Sequence, residues 1–381
     1  MQTKQENAME KRKNAFALIE LVVIIAMIVL LIGIFLPAMG QAKRSAFNVV
    51  SINNLNALNA GSGQYAADNA GRIFSYTWRG GVSYKIPGSV AKTGIDDGDA
   101  AALQNMEILM RSTGRASGAT RIIKLRGRLP HRRYSHLVLL DYLTDVMPHP
   151  VAASPFDTNL IKWQSEPLSY LKNLESSGLP YANGFEDGYD DDPRWADISV
   201  TQRWTFGSSY EVVPAAWTGD GIGGENVYAP VASTPHLFMT RGGKGEPALG
   251  NRQYTQVAYP SQKVHMFEEF DRFTDRNGLY FAYPEAKPNL AFFDGSVRSE
   301  SSSDSNPGWN PAAPDQEWRQ RYIPLDTFPL PKDGLEDNNV EYCQRFRWTR
   351  HGLQGIDFGG KDVGRRLYGL PREVIGGCEV E

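Results

Sequence analysis

The chain has 381 residues, with 40 Lys and Arg against 43 Asp and Glu and a formal net charge of −3. That balance excludes the basic face on which nucleic-acid binding rests, so no nucleic-acid partner is expected. Its 37 Gly, 23 Pro, 17 Tyr and 8 Trp point to a loop-rich domain with much β structure, and two cysteines exclude a disulfide-dense or zinc-knit scaffold.

The first predicted element is the apolar run Phe16–Met39, which follows the basic cluster Lys11-Arg12-Lys13. At 1.5 Å per residue, Phe16–Leu36 covers about the 30 Å hydrocarbon core of a bilayer. The basic cluster leaves the N-terminus cytoplasmic and the bulk of the chain outside, and Lys43 and Arg44 weaken that asymmetry without reversing it. Glu20 is the one charge in the run. An acidic side chain at the centre of a span costs about 2.5–3.5 kcal/mol on insertion scales, so an intramembrane carboxylate marks function. A cleaved secretory signal has a shorter apolar region and no use for Glu20, although Ala38-Met39-Gly40 offers small residues for cutting. A plain anchor fits the length and leaves Glu20 unexplained, unless it snorkels to the cytoplasmic interface.

The segment KNAFALIELVVIIAMIVLLIGIFLPAMGQAKRSA resembles the N-terminal cleavage and methylation segment of type IV pilins and type II secretion pseudopilins. The shared pattern is a basic leader, a small residue, and a Phe-x-Leu-Ile-Glu opening to a hydrophobic helix. The resemblance implies that prepilin peptidase cuts between Ala15 and Phe16 and that Phe16 becomes the N-methylated first residue. It places Glu20 at the fifth mature position, paired with the α-amino group of a neighbouring subunit, and Pro37 where the family often weakens its helix. Ala15 stands where the family normally has glycine.

Beyond the span the helix is expected to continue through 40–70, because Phe47, Val50, Leu55, Leu58 and Tyr65 share one stripe at helical spacing. Gly61-Ser62-Gly63 weakens it at about 1 kcal/mol per interior glycine, and Asp68-Asn69-Ala70-Gly71 is its stop. Strands are expected over Arg72–Trp78, Val82–Ile86 and Arg121–Leu125, and helices over Ala100–Ser112 and Ser135–Thr144. Residues 148–198 read as mostly loop. Strand patterns return at Trp204–Val213, Lys263–Phe270 and Leu279–Tyr283.

Asn289–Arg298 is the clearest hairpin. A two-residue type I′ turn at Asp294-Gly295 sets Phe292 opposite Val297 and places Leu290, Phe292 and Val297 on one face. NLAFFDGSV is similar to the Asp-Gly hairpin of a large prepilin-like group with a His-x9-Asp-Gly signature, with Pro284 in place of the histidine. LNALNAGSGQYAADNAGRI, FGSSYEV and RWTRHGLQGIDFGG resemble other pieces of that group.

Glu186-Asp187-Gly188-Tyr189-Asp190-Asp191-Asp192 is the densest acidic run. Asp187, Asp190, Asp191 and Asp192 are candidate calcium ligands, hard oxygens close together in a loop; a solvated acidic loop is the reading that needs no ligand spacing. No other cofactor is expected. His131, His136 and His149 carry no metal spacing, and Glu268, Glu269 and Asp271 read as ordinary strand and turn residues, since neighbours on a strand face opposite ways. Cys343 and Cys378 either staple the tail or remain thiols.

The expected organisation is a leader over 1–15, a transmembrane helix over 16–39, its extracytoplasmic continuation over 40–70, a β-rich globular domain over 71–300 and a loop-rich extension over 301–381. The fold class is α+β, a long N-terminal helix packed on an antiparallel β-sheet, pilin-like with long loop insertions. The expected role is a non-enzymatic filament subunit of a type IV pilus or secretion pseudopilus in the inner membrane. Its partners would be the membrane, prepilin peptidase and other pilin or pseudopilin subunits. The alternative is a membrane-tethered extracytoplasmic module that binds a ligand, perhaps a glycan.

Overall fold

In the computed structural model the described residues are 2–118, 121–122, 124, 132–143, 147–165, 206–220, 227–231, 234–241, 249–273, 279–310, 313–317, 319–321, 341–360, 363–364 and 372–373. They form an α+β structure whose chain divides into two compact units, Met1–Val49 and Val50–Glu381.

Helix α1 runs from Gln2 to Asp68 with Pro37 inside it. It does not fray at Gly61-Ser62-Gly63. Both Gly61 and Ser62 are buried, and a Cβ on Gly61 would lie 3.2 Å from Leu143, so the missing side chain lets a neighbouring segment approach. The helix ends as its sequence anticipates. The Asn69 N–H and side-chain amide both donate to Tyr65 O, and Gly71, at φ +76°, donates to Ala66 O. That pattern closes the last turn and satisfies its free carbonyls.

Arg72–Trp78 is not a strand: Arg72 makes a single bridge to Gln253 and no ladder continues from it among the described residues, although Ile73 through Tyr76 are buried. Two short strands, β1 (Ser83–Tyr84) and β2 (Lys92–Thr93), pair ahead of α2 (Asp97–Thr113). Asp96 caps α2 by accepting from Asp99 N–H, and Gly114 in the left-handed region ends it. The short helix expected over Ser135–Thr144 is a 3₁₀ helix, Arg132–Tyr142, with Leu137 and Leu140 buried. Of the segment expected as loop, Pro150–Ala152 is a 3₁₀ turn and α3 spans Thr158–Ser165. Residues 166–198 lie outside the described residues, as do 123 and 125 of the strand expected at Arg121–Leu125, whose described residues are in no strand.

The centre of the second unit is a four-stranded antiparallel sheet made of β3 (Tyr210–Val212), β6 (Val264–Glu268), β9 (Asn289–Phe292) and β10 (Val297–Ser299), in the order β10-β9-β6-β3. Between these in the chain lie β4 (Val227–Val231) paired with β5 (Thr234–Arg241), and β7 (Phe270–Asp271) paired with β8 (Leu279–Tyr280). Three more two-stranded ribbons follow: Trp309–Asn310 with Ala313–Glu317, Arg319–Arg321 with Glu341–Cys343, and Val363–Gly364 with Arg372–Glu373.

The Asp294-Gly295 hairpin forms with a register one residue away from the expected one. Phe292 N–H donates to Ser296 O and Gly295 N–H to Phe292 O, so the loop has an extra residue and Gly295, at φ +92°, forms its bulge. Asp294 stabilises this loop by accepting from the Ser296 N–H and hydroxyl. Ala291 therefore faces Val297, and Leu290 faces Arg298. The slip moves Val297 off the face of Leu290 and Phe292 and brings the Arg298 guanidinium 3.5 Å from the Phe292 ring centre.

One large apolar cluster fills both faces of this sheet. It includes Leu55, Leu58 and Tyr65 of α1 and Met266, Phe267, Leu290, Phe292, Phe346 and Phe358. Cys343 is disulfide-bonded, and the only other cysteine in the sequence is Cys378.

Candidate functional site

The first unit carries the residues singled out from sequence. From Leu18 to Met39 the large apolar side chains of α1 are exposed, and Glu20 and Pro37 are exposed among them. This helix is long and apolar enough to cross a membrane. So large an apolar surface in water would be unstable, and a lipid environment removes that cost. Ala15 and Phe16 lie within the helical backbone of α1, and their side chains are outside the described residues.

In the second unit the helix is held to the sheet by polar side chains as well as leucines. Ser51, Leu55, Leu58, Ser62 and Tyr65 follow one helical stripe, and all five are buried. Ser51 Oγ donates to Glu268 Oε2 at 2.8 Å and lies 2.9 Å from the Tyr210 hydroxyl. Asn54 donates to Ala153 O at 3.0 Å, and Ser62 Oγ is 2.5 Å from the Tyr254 hydroxyl. Asn59 donates to Phe292 O at 3.1 Å, while its carbonyl oxygen accepts from His265 Nδ1 at 3.2 Å. His265 occupies a bulge between Val264 and Met266, stacked on Phe293 at 4.2 Å. Burial, reinforced by the Lys263 charge, pushes its pKa down to about 3, so the ring is neutral and can sit in the core.

Glu268 is the hub of this seat. It is fully buried, opposite Tyr210 on β3, and also accepts from Asn289 Nδ2 at 3.1 Å and Arg272 Nη1 at 3.3 Å. Arg272 bridges on to Asp157 at 3.1 Å, which accepts from Ser209 Oγ at 2.8 Å. Burial raises the Glu268 pKa, with Arg272 and the hydrogen bonds opposing it. Burial and the neighbouring Glu268 charge raise that of Tyr210 as well. A serine on a carboxylate has the residue types of a reactive pair, but Ser51 and Glu268 are both sealed from solvent, so their contact fastens the helix.

The opposite face of the sheet has its own ion-pair cluster. Arg347 pairs with Glu211 at 2.8 Å and Glu269 at 3.7 Å, donates to the Tyr280 hydroxyl, and lies over the Phe281 ring at 4.3 Å. Glu268, Glu269 and Asp271 are thus buried anchors, where sequence reading had them as ordinary strand and turn positions. The expectation of opposite faces for adjacent residues does hold, since Glu268 meets α1 and Glu269 meets Arg347. The signal for the α1 seat was present in the polar positions of the helical stripe, Ser51 and Ser62, which an apolar count passes over.

No family model, curated protein or solved structure matches the chain. Among the described residues no group of three His, Cys, Asp or Glu converges as a metal would require. The calcium candidates Asp187, Asp190, Asp191 and Asp192 lie outside the described residues, as does His131. His136 and His149 are buried in different segments.

Proposed function

We propose that this chain is a non-enzymatic structural subunit of a type IV pilus-like or type II secretion pseudopilus filament. Its N-terminus lies in the cytoplasm, α1 crosses the inner membrane, and the second unit faces the periplasm or exterior. The observation that carries this is Phe16-Ala17-Leu18-Ile19-Glu20, preceded by a small residue and a basic cluster, at the start of a helix with an exposed apolar surface. An α+β arrangement in which the far end of that helix is seated on an antiparallel sheet is compatible with a pilin-like fold.

The mechanism follows from charge in lipid. Prepilin peptidase cuts between Ala15 and Phe16 and exposes a new α-amino group, which is methylated. Glu20 lies one helical turn further on, where an ionised carboxylate is tolerated once an opposite charge neutralises it. An amine from an adjacent subunit supplies that charge, so lateral packing of helices is favoured only when the two groups meet. Mass spectrometry of the membrane-extracted protein tests the first step: the N-terminal peptide should begin with N-methylated Phe16. An intact Met1 in mature, assembled material would overturn the reading.

A further inference from the structure

Lys263, just before β6, is the one lysine among the described residues with a fully buried side chain, at 0% exposure, and its ion-pair partner Asp357 is at 1%. Lys263 Nζ lies 2.9 Å from Asp357 Oδ2. The same oxygen accepts from the Val264 N–H at 2.8 Å. The Thr349 hydroxyl touches both reacting groups: it contacts Nζ and donates to Asp357 Oδ1 at 2.5 Å. The next carboxylate, Asp220, is held in both oxygens by Arg252 at 2.8 Å.

We propose that Lys263 and Asp357 become joined by an intramolecular isopeptide bond that the folded chain forms on itself. Transfer of one proton from Nζ to the carboxylate within the ion pair gives an amine and an acid, and the amine attacks Cγ of Asp357; the Nζ–Cγ bond forms and one Cγ–O bond breaks. The departing hydroxyl takes a proton from the nitrogen and leaves as water, so one amide and one water replace one amine and one acid. No oxidant, reductant or co-reactant enters. The Val264 N–H faces Oδ2, the oxygen that carries negative charge in the tetrahedral intermediate. Thr349 is placed to relay the proton from Nζ to Oδ1, the oxygen that departs.

Three features of the pair favour the reaction here. The two groups are held in contact, so the bimolecular cost of amide formation is already met by folding. Burial lowers the proton affinity of Lys263, which makes the free amine accessible. The product exchanges a desolvated ion pair, whose Coulombic gain only partly offsets its desolvation, for a neutral amide. The link would tie the segment 345–358 covalently to the central sheet, a restraint suited to a subunit that bears load.

Proteolytic peptide mapping of the full-length, detergent-extracted and reduced protein tests this without any variant. The segments holding Lys263 and Asp357 should appear as one branched peptide, lighter than their sum by one water. Recovery of both as separate linear peptides overturns the proposal and leaves an ion pair. Asp357→Ala and Lys263→Arg should abolish the branched species, and Asp357→Asn should regenerate the same linkage with loss of ammonia. A branched species that persists in Lys263→Arg would refute the assignment. The outcome does not depend on how the N-terminus is processed, so it stands or falls apart from filament assembly.

Discussion

Replacing Arg347 by Met isolates the ion-pair cluster on the sheet face away from α1. Its guanidinium side chain is 2% exposed and pairs with Glu211 and Glu269, at 0% and 2%. Methionine keeps most of the stem volume against Phe281 but takes the guanidinium away from two buried carboxylates. Breaking a buried pair from one side costs about 3–5 kcal/mol, because the remaining charge is left uncompensated. The deficit of Arg347→Met should therefore fall in that range. Urea unfolding of the full chain in detergent, followed through the buried Trp217 and Trp348, measures it. Adding Glu211→Met and Glu269→Met should recover most of the loss, since an apolar replacement of a whole buried cluster is often neutral or better. A single-mutant loss under ~1 kcal/mol would show that Arg347 does not hold these carboxylates in the core.

Four further outcomes are expected. His265→Gln should flatten the acid limb of stability: the folded pKa of about 3 lies below the ordinary histidine value of 6.5, so the wild type loses stability as pH falls between them. That loss runs at up to ~1.4 kcal/mol per pH unit, and an unchanged acid limb in the variant would show that His265 is not its source. Gly250→Ala should destabilise by about 1–3 kcal/mol or more, because Gly250 sits at φ +72° and a Cβ would lie 2.5 Å from Tyr76 O; a neutral thermal melt would contradict the backbone placement. Gly61→Ala should gain up to about 1 kcal/mol in urea titrations, since the contact it makes is with the movable end of Leu143; a comparable loss would mean that Leu143 cannot yield. Glu20→Ala should leave membrane extraction unchanged while lowering the cross-linked oligomer yield, and normal incorporation into filaments would count against amine pairing.

Much of the architecture was legible where one physical rule dominated. The apolar length of α1, its stop at Asp68–Gly71 and the core positions Leu55, Leu58 and Tyr65 all follow from helix periodicity and turn chemistry. Val50, assigned to the same stripe, is exposed, because the buried stripe is phased through Ser51 instead. Arg72–Trp78 looked like a strand because its residues favour β structure, but beyond the bridge from Arg72 to Gln253 no described neighbour pairs with it in a ladder, and pairing is a tertiary event. The Asp-Gly turn was identified and its loop length was not, since an Asp-Gly pair suits both a tight turn and a bulged loop.

Local sequence determined the elements that need only their own neighbours: a greasy helix with a charge near its start, its capping residues, and the site of a chain reversal. Those depend on backbone preference and apolar spacing, which are written along the chain. Only the tertiary structure decided which polar groups would be buried and which partners would meet. Ser51 finds Glu268, Lys263 finds Asp357, and Arg347 finds Glu211 across separations that no local pattern encodes. A charge can enter a core only where another element brings its complement, and that condition is a property of the assembled fold.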